Sequence, residues 1–139
     1  MAKFSITVKP RFGDEFRASG VVHDLVYHTW SREASIGYFN QLSGREVDGR
    51  PTPVKMEITY ASPLLMTEEA KVYYGVTKIG KASTTQETQI NEAISGRPIA
   101  IIKSVFVMVD NKTGRTIPIS DENKQLIINF EGQKNIEVR

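Results

Sequence analysis

The sequence contains no cysteine, and this absence excludes several kinds of site at once. Without thiols the chain forms no disulfide, builds no thiolate metal centre and has no cysteine nucleophile. The two histidines, His23 and His28, lie five residues apart, and no carboxylate cluster at ligand spacing accompanies them. We therefore expect no metal site. The Gly-x-Ser-x-Gly pattern of serine hydrolases and the glycine-rich phosphate loop are also absent.

Excess charge and long apolar runs are scarce as well. The 18 Lys and Arg residues against 16 Asp and Glu leave a net charge of +2, which gives no basic footprint for nucleic acid. The most apolar run, residues 98–109, is interrupted by Lys103 and Ser104 and is too short to span a bilayer. The first residues lack the apolar segment of a signal peptide. These features predict a cytoplasmic protein without membrane insertion or nucleic-acid binding.

What remains is the composition of a globular protein, and 139 residues predict one domain over residues 1–139. Alternating apolar and polar residues predict a first strand over residues 4–9, ended by Pro10. Residues 45–53 contain two prolines and are predicted to be a connector. Ser120 is predicted to cap a short last helix, and residues 133–139 to form a loose tail. The further predicted strands are residues 54–60, 70–79, 84–90 and 98–110, with a brief return at 116–119.

One long helix is predicted, with Asp24 as its N-cap, an end near Ser43 and Gly44 as the C′ residue. Three- and four-residue spacing defines an apolar face formed by Tyr27, Trp30, Ala34, Gly37 and Tyr38. Further apolar residues on other sides of the helix, among them Ile36 and Phe39, indicate that it is surrounded. The sequence therefore predicts an α+β fold in which an antiparallel sheet wraps around one long central helix.

Four segments are similar, in order, to motifs of one known family. They are Arg11-Phe12-Gly13-Asp14, Gly20-Val21-Val22-His23 followed by Tyr27, the Lys-Ile-Gly hairpin at residues 76–83, and the Val-Asp, Thr-Gly-Arg and Pro signature at residues 106–118. Over about positions 4 to 120 the chain resembles the hotdog-fold acyl-CoA thioesterases of the 4-hydroxybenzoyl-CoA thioesterase type. The resemblance implies a hotdog fold and a thioester substrate on coenzyme A or an acyl carrier protein. It implies no cofactor besides the coenzyme A of the substrate.

The resemblance also implies a homodimer whose sheets join edge to edge, often paired again into a homotetramer, with the active site at the dimer interface. A backbone N–H at the helix start then polarises the thioester carbonyl, and a carboxylate three residues before the loop glycine is nucleophile or base. Here that place is held by Arg17, in a loop one residue longer than the family pattern. A guanidinium stays protonated and cannot act as the base.

Several residues are therefore candidates for the catalytic role. Asp24 is a base at the helix start or only an N-cap, and His23 is an acid or base or an incidental loop histidine. Glu15 replaces the missing carboxylate if the extra residue bulges the loop. Arg17 either binds a carboxylate or phosphate of the ligand or is a solvated charge. Glu33, inside the helix, is either a catalytic carboxylate, as the resemblance to some hotdog enzymes implies, or the partner of a lysine or arginine in an ion pair, which is the expected use.

Substrate-binding candidates lie in two places. Gly20 is at the loop, and Tyr27 and Trp30 are predicted to be core residues that also line the acyl pocket. In the predicted hairpin, lysines flank a glycine and either contact coenzyme A phosphates or only solubilise the turn. The hairpin candidates are Lys78, Gly80, Lys81 and Ser83.

Three functions remain open from the sequence. Hydrolysis of an acyl thioester is the leading hypothesis. A non-catalytic acyl-thioester-binding protein is the alternative that Arg17 favours. A dehydratase or hydratase would use His23 and a carboxylate as acid and base.

Overall fold

The computed structural model describes residues 2–42 and 49–139. Two short 3₁₀ turns, Phe12–Asp14 and Gln133–Asn135, lie outside the main elements. The main elements, in chain order, are β1 (Phe4–Val8), α1 (Val26–Leu42), β2 (Gly49–Tyr60), β3 (Ala70–Ile79), β4 (Ser83–Glu92), β5 (Pro98–Asp110), β6 (Thr116–Ile117), α2 (Asp121–Glu131) and β7 (Glu137–Val138).

The strands described form one sheet whose main path is β1-β3-β4-β5-β2. These strands pair antiparallel, β6 adds to β5, and β7 pairs parallel with β3 beside the end of β1. The β3–β4 and β4–β5 connections are short, which suits antiparallel neighbours. β2 lies at the end of this path, so its outer edge has no strand beside it among the described residues.

The long helix α1 lies on one face of this sheet, and the predicted hotdog architecture is confirmed. Tyr27, Trp30, Ala34 and Tyr38 are buried, as their helical spacing predicts. Gly37 meets β1 closely, because a Cβ built at this position would lie 3.0 Å from Cζ of the Phe4 ring. A larger residue at this point would push α1 away from the sheet.

The last helix docks on the first as its sequence predicts. Ser120 caps α2, since its hydroxyl oxygen accepts the N–H of Asn123 at 3.1 Å. Ile127 is buried, and the ring of Phe130 contacts Tyr38 edge-on with 5.5 Å between centroids. Both helices therefore contribute to one apolar core with the sheet.

Three expectations differ from the structure. β2 begins at Gly49, so Pro51 and Pro53 belong to a strand and not to a connector. Proline is tolerated there because β2 is an edge strand and needs fewer N–H donors. Residues 133–139 are not a loose tail, because β7 pairs with β3. Ile36 and Phe39 are 51% and 39% exposed, so the helix is not surrounded within one chain.

The predicted helix end at Ser43 and Gly44 lies outside the described residues, as does the start of the predicted connector. Neither α1 nor α2 is both long and apolar enough to cross a bilayer, and the same holds for the rest of the described chain.

Candidate functional site

The loop that leads into α1 folds back on itself as a narrow hairpin. The N–H of Phe16 donates to the carbonyl of Val21 with 2.9 Å between N and O, and Glu15 forms an isolated bridge with Val22. Arg17 lies at the tip with φ +53°, a left-handed conformation that costs energy for a side chain of its size. The longer loop thus places a guanidinium, not a carboxylate, at its tip.

Glu15 turns its carboxylate toward the second half of the same loop. Its Oε2 accepts the N–H of Gly20 at 2.7 Å, and Gly20 has φ +81°, which favours glycine. This contact holds a carboxylate beside Gly20. In the resembled family the catalytic carboxylate lies three residues before the corresponding glycine. Glu15 therefore stays a candidate for that role.

The backbone N–H groups at the start of α1 differ in whether they already have acceptors. Those of Leu25, Val26 and Tyr27 donate to His23 Nδ1, the His23 carbonyl and the Asp24 carbonyl. The N–H of Asp24 has no acceptor among the described residues. Since the macrodipole is positive at a helix start, this free donor is the one best placed to bind a negatively charged oxygen.

The side chain of Asp24 does not cap the helix as expected. No helix N–H in the described part of the chain donates to its carboxylate, and the capping acceptor is His23 Nδ1, 3.2 Å from the N–H of Leu25. The imidazole lies over the first turn, so Oδ1 of Asp24 turns to His23 Nδ1 instead, also at 3.2 Å. The structure therefore pairs two candidate residues, His23 and Asp24.

The two contacts of His23 Nδ1 require different proton positions. The hydrogen bond that the structure forms comes from the N–H of Leu25, and it needs an unprotonated Nδ1 with the proton of a neutral ring on Nε2. A protonated Nδ1 would instead face Oδ1 of Asp24, and Nε2 of a neutral ring would then be free to accept. The ring also lies 5.2 Å from the Phe16 ring, centroid to centroid. Either tautomer of His23 therefore has a contact for Nδ1 at the helix start.

Tyr27 and Trp30 lie in the core, and neither lines the large cavity described below. Their rings are 5.8 Å apart between centroids, and the Tyr27 hydroxyl accepts the N–H of Leu64 at 3.2 Å. Burial raises the pKa of Tyr27, so its hydroxyl stays protonated at neutral pH. We infer no proton-transfer role for it.

A cavity of about 810 Å³ lies between α1, the sheet and α2. His28 and Thr29 line the end of the cavity that is nearest the start of α1. This end of the cavity is about one helical turn from the loop that precedes α1. No role for His28 was predicted, because sequence spacing does not reveal that α1 leaves part of the sheet uncovered. Most of the remaining lining is apolar and includes Phe39, Met56, Phe106, Met108, Ile117 and Leu126.

The buried polar side chains at the floor of the cavity have hydrogen-bond partners. The hydroxyls of Ser31, which lines it, and Thr88 lie 2.6 Å apart, and Gln86 and Ser104 are buried in its floor. No buried side-chain nitrogen or oxygen of the described residues lacks a hydrogen-bond partner. The floor of the cavity therefore suits an apolar group that brings no hydrogen-bond demand of its own.

The hairpin candidates lie apart from the loop within one chain. Lys78 pairs with Glu137 at 3.1 Å, and the N–H of Gly80 donates to the Ser83 carbonyl at 2.7 Å. Ser83 begins β4, whereas α1 contacts this strand at Thr88, five residues later. At the usual rise per residue of a β-strand, the two positions are about 17 Å apart. The exposed Lys81 shares this distant turn. These residues reach a helix start only if a second chain supplies them.

Other acidic side chains serve structural purposes or stand alone. Asp14 is buried and accepts the N–H of Arg11 at 2.8 Å, a role that the sequence did not suggest. Glu33 is exposed and, contrary to expectation, forms no ion pair with a described residue. Across residues 2–42 and 49–139, no three His, Asp or Glu side chains are placed to hold a metal ion.

The fold agrees with comparisons to known proteins. Residues 10–127 match the family model of the thioesterase-like superfamily. Among curated proteins, none matches the sequence significantly. A thioesterase from Thermus thermophilus, solved with coenzyme A and zinc, is 25% identical with a TM-score of 0.80, covering 93% of this chain and 94% of its own.

Two further solved structures share the fold at lower identity. A 1,4-dihydroxy-2-naphthoyl-CoA thioesterase from Synechocystis is 15% identical with a TM-score of 0.80, over 91% of this chain and 96% of that one. A variant 4-hydroxybenzoyl-CoA thioesterase with bound 4-hydroxybenzoyl-CoA is 17% identical with a TM-score of 0.79, over 88% of this chain and 96% of that one.

Proposed function

The chain belongs to the thioesterase-like superfamily, and we propose that it hydrolyses the thioester bond of acyl-coenzyme A. The observation that carries the proposal is the free N–H of Asp24 at the start of α1, next to an imidazole and its carboxylate partner. The Thermus relative was solved with coenzyme A, which supports coenzyme A as the carrier.

In this proposal the thioester carbonyl oxygen lies against the N–H of Asp24. Attack by water turns that oxygen into an oxyanion, whose charge the N–H and the positive end of α1 stabilise. Loss of one such donor typically costs about 10²–10³ in rate. The C–S bond then breaks, the thiolate takes up a proton, and the products are a carboxylic acid and free coenzyme A.

We assign the base to His23, aligned by Asp24. When Nδ1 donates to the carboxylate 3.2 Å away, Nε2 has its lone pair free and accepts the proton of the attacking water. The same nitrogen then returns the proton to the leaving sulfur. Glu15, whose carboxylate is fixed on the N–H of Gly20, is the second candidate. Arg17 is assigned to substrate phosphate or carboxylate groups.

The cavity supplies the acyl site in this proposal. The start of α1 lies near the C-terminal end of β2, where the rings of Tyr27 and Tyr60 are 6.3 Å apart between centroids. The cavity lies toward the other end of β2, which it contacts at Pro51, Pro53 and Met56. Antiparallel pairing of two β2 edges would bring the helix start of one chain toward the cavity of the other. The proposal therefore includes a homodimer in which the hairpin lysines of one chain approach the loop of its partner.

A screen of thiol release over aromatic, short-chain and long-chain acyl-CoAs tests the function. Hydrolysis predicts free thiol from at least one class. A hydratase would change the absorbance of an enoyl thioester and release no thiol. A non-catalytic binding protein, the alternative that Arg17 favours, would bind acyl-CoA and do neither. Either of these last two results would overturn the proposal.

A further inference from the structure

The loop between β2 and β3, residues 61–69, is held by one side chain from the turn before β5. Both terminal nitrogens of Arg97 donate to the carboxylate of Glu68, at 3.0 Å and 2.7 Å. Nη2 also donates to the carbonyl of Pro63 at 3.1 Å, and Nε to Oγ of Ser62 at 3.3 Å. All three nitrogens of the guanidinium therefore bind this one loop.

The same β2–β3 loop holds the loop of the proposed site. The N–H of Val22 donates to the carbonyl of Leu64, and the N–H of Met66 donates to the carbonyl of Gly20, each at 2.9 Å. The N–H of Leu64 donates to the hydroxyl of Tyr27 in the first turn of α1, and Leu64 is fully buried. A shift of the β2–β3 loop would thus move both the loop that precedes α1 and the first turn of α1.

We infer that Arg97 and Glu68 are positioning residues for the N–H of Asp24. Neither residue hydrogen-bonds to the site loop among the described contacts, so they act through Leu64 and Met66. This inference rests on the proposed function, because it assigns the pair to the alignment of that carbonyl-binding N–H. It adds to the site two residues that lie more than 40 positions away along the chain.

The exposure and geometry of the Arg97–Glu68 pair distinguish a positioning role from a contribution to global stability. The side chains of Arg97 and Glu68 are 39% and 19% exposed, so solvent screens part of their attraction and the pair contributes only modestly to global stability. Alignment is more demanding, because a displacement of about 1 Å in an active site costs about 10²-fold in rate. Lysine keeps the charge of Arg97 but loses the fork that reaches Glu68 and Pro63 together.

Arg97→Lys tests the inference, with Arg115→Lys as the matched control. Arg115 is exposed, and its guanidinium makes no hydrogen bond to a described residue. We expect kcat for thiol release to fall about 10–100-fold in Arg97→Lys with KM changed less than about twofold. The control should match the wild type in both constants. Glu68→Gln should resemble Arg97→Lys, and the double variant should lose no more than either single one.

Amide hydrogen exchange gives a readout that does not depend on activity. In Arg97→Lys the amides of Val22 and Met66 should exchange at least about tenfold faster, while those of the β3 and β5 ladders keep their wild-type rates. Unchanged kcat together with unchanged Val22 exchange would overturn the inference. Faster exchange throughout the sheet would also overturn it, since that marks a global loss of stability. If the wild type releases no thiol, the proposed function fails, and exchange at Val22 and Met66 alone decides whether Arg97 holds the loop.

Discussion

The hydroxyl of Tyr38 in α1 donates a hydrogen bond to Oε2 of Glu131 in α2, with 2.6 Å between the oxygens. The N–H of Val76 donates to the same oxygen at 3.2 Å. Val76 lies on the edge of β3 between the residues that pair with β1 and those that pair with β7. Burial and the neighbouring carboxylate raise the pKa of Tyr38, so it remains a donor. One carboxylate thereby joins both helices to the sheet.

Tyr38→Phe should lower the free energy of unfolding by about 1.5–3 kcal/mol, the usual range for a hydrogen bond to a charged group. The variant leaves the carboxylate of Glu131 buried with only the N–H of Val76 on that oxygen. Urea unfolding measures the loss. Tyr73→Phe is the control, because its hydroxyl has no hydrogen bond among the described residues. Equal stability of the two variants would show that the Glu131 contact does not join the helices.

Trp30→Ala should cost about 3–5 kcal/mol, because it empties a large aromatic site in the core. Trp30 is 3% exposed and packs against Tyr27. Thermal and urea unfolding give the value. Ile94→Ala, at a turn position that is 96% exposed, should change stability by less than about 0.5 kcal/mol. If Trp30→Ala melts within a degree or two of the wild type, the core assignment of this helix face is wrong.

Acid should destabilise the fold through Glu68. The hydrogen bonds from Arg97, and then from the N–H of Leu65, hold the pKa of Glu68 below its ordinary value of 4.5. Because the folded-state pKa is the lower one, the contribution is present above about pH 4.5 and is lost as the pH falls through the folded-state value. In Glu68→Gln, the decrease in Tm below about pH 4.5 should be smaller than in the wild type. An identical pH profile of Tm would contradict this assignment.

The chain should form at least a dimer at micromolar concentration. β2 presents a 12-residue edge with no strand beside it in the described part of the chain, and Ile36 and Phe39 leave apolar surface open along α1. Light scattering measures the mass. A monomer that retains its full secondary structure would contradict the two-chain site.

Periodicity, apolar runs and turn residues predicted most of the fold. The predicted bounds of β3 and β5 match the observed ones, β5 from its nearly continuous apolar run, and helical spacing identified the buried face of α1. The start of β2 was not predictable, because two prolines indicate a break unless the strand is known to lie at an edge. The pairing of β7 was likewise hidden, since two residues carry no period.

The sequence proposed a place for the candidate site but did not reveal the contacts there. The glycine loop and the helix start marked where to look, and the structure brings Glu15 to Gly20 and His23 to Asp24 there. Sequence spacing could not show that the His23 ring displaces Asp24 as the capping side chain. It also could not show the cavity, which depends on how α1 crosses the sheet.

Arg17→Asp tests the departure of this loop from the family pattern. The substitution returns a carboxylate to the loop tip, where Arg17 has φ +53°, a conformation that Asp adopts more readily than most residues. If His23 is the base and Arg17 binds substrate, we expect a higher KM for acyl-CoA and no gain in kcat. A rise in kcat would assign the base to the family's carboxylate position instead. Initial rates of thiol release over a range of acyl-CoA concentrations separate the two.

The most direct test of the central claim compares thiol release from acyl-CoA by the wild type and by Asp24→Asn. Asparagine retains the backbone N–H and the shape of the side chain but removes the charge that, in the proposed mechanism, aligns and stabilises the His23 imidazolium. The account predicts hydrolysis by the wild type and a loss of about 10²–10⁴ in kcat for the variant, with Tm within a degree or two. Hydrolysis at the wild-type rate by Asp24→Asn, or no thiol release by the wild type from any acyl-CoA tested, would contradict it.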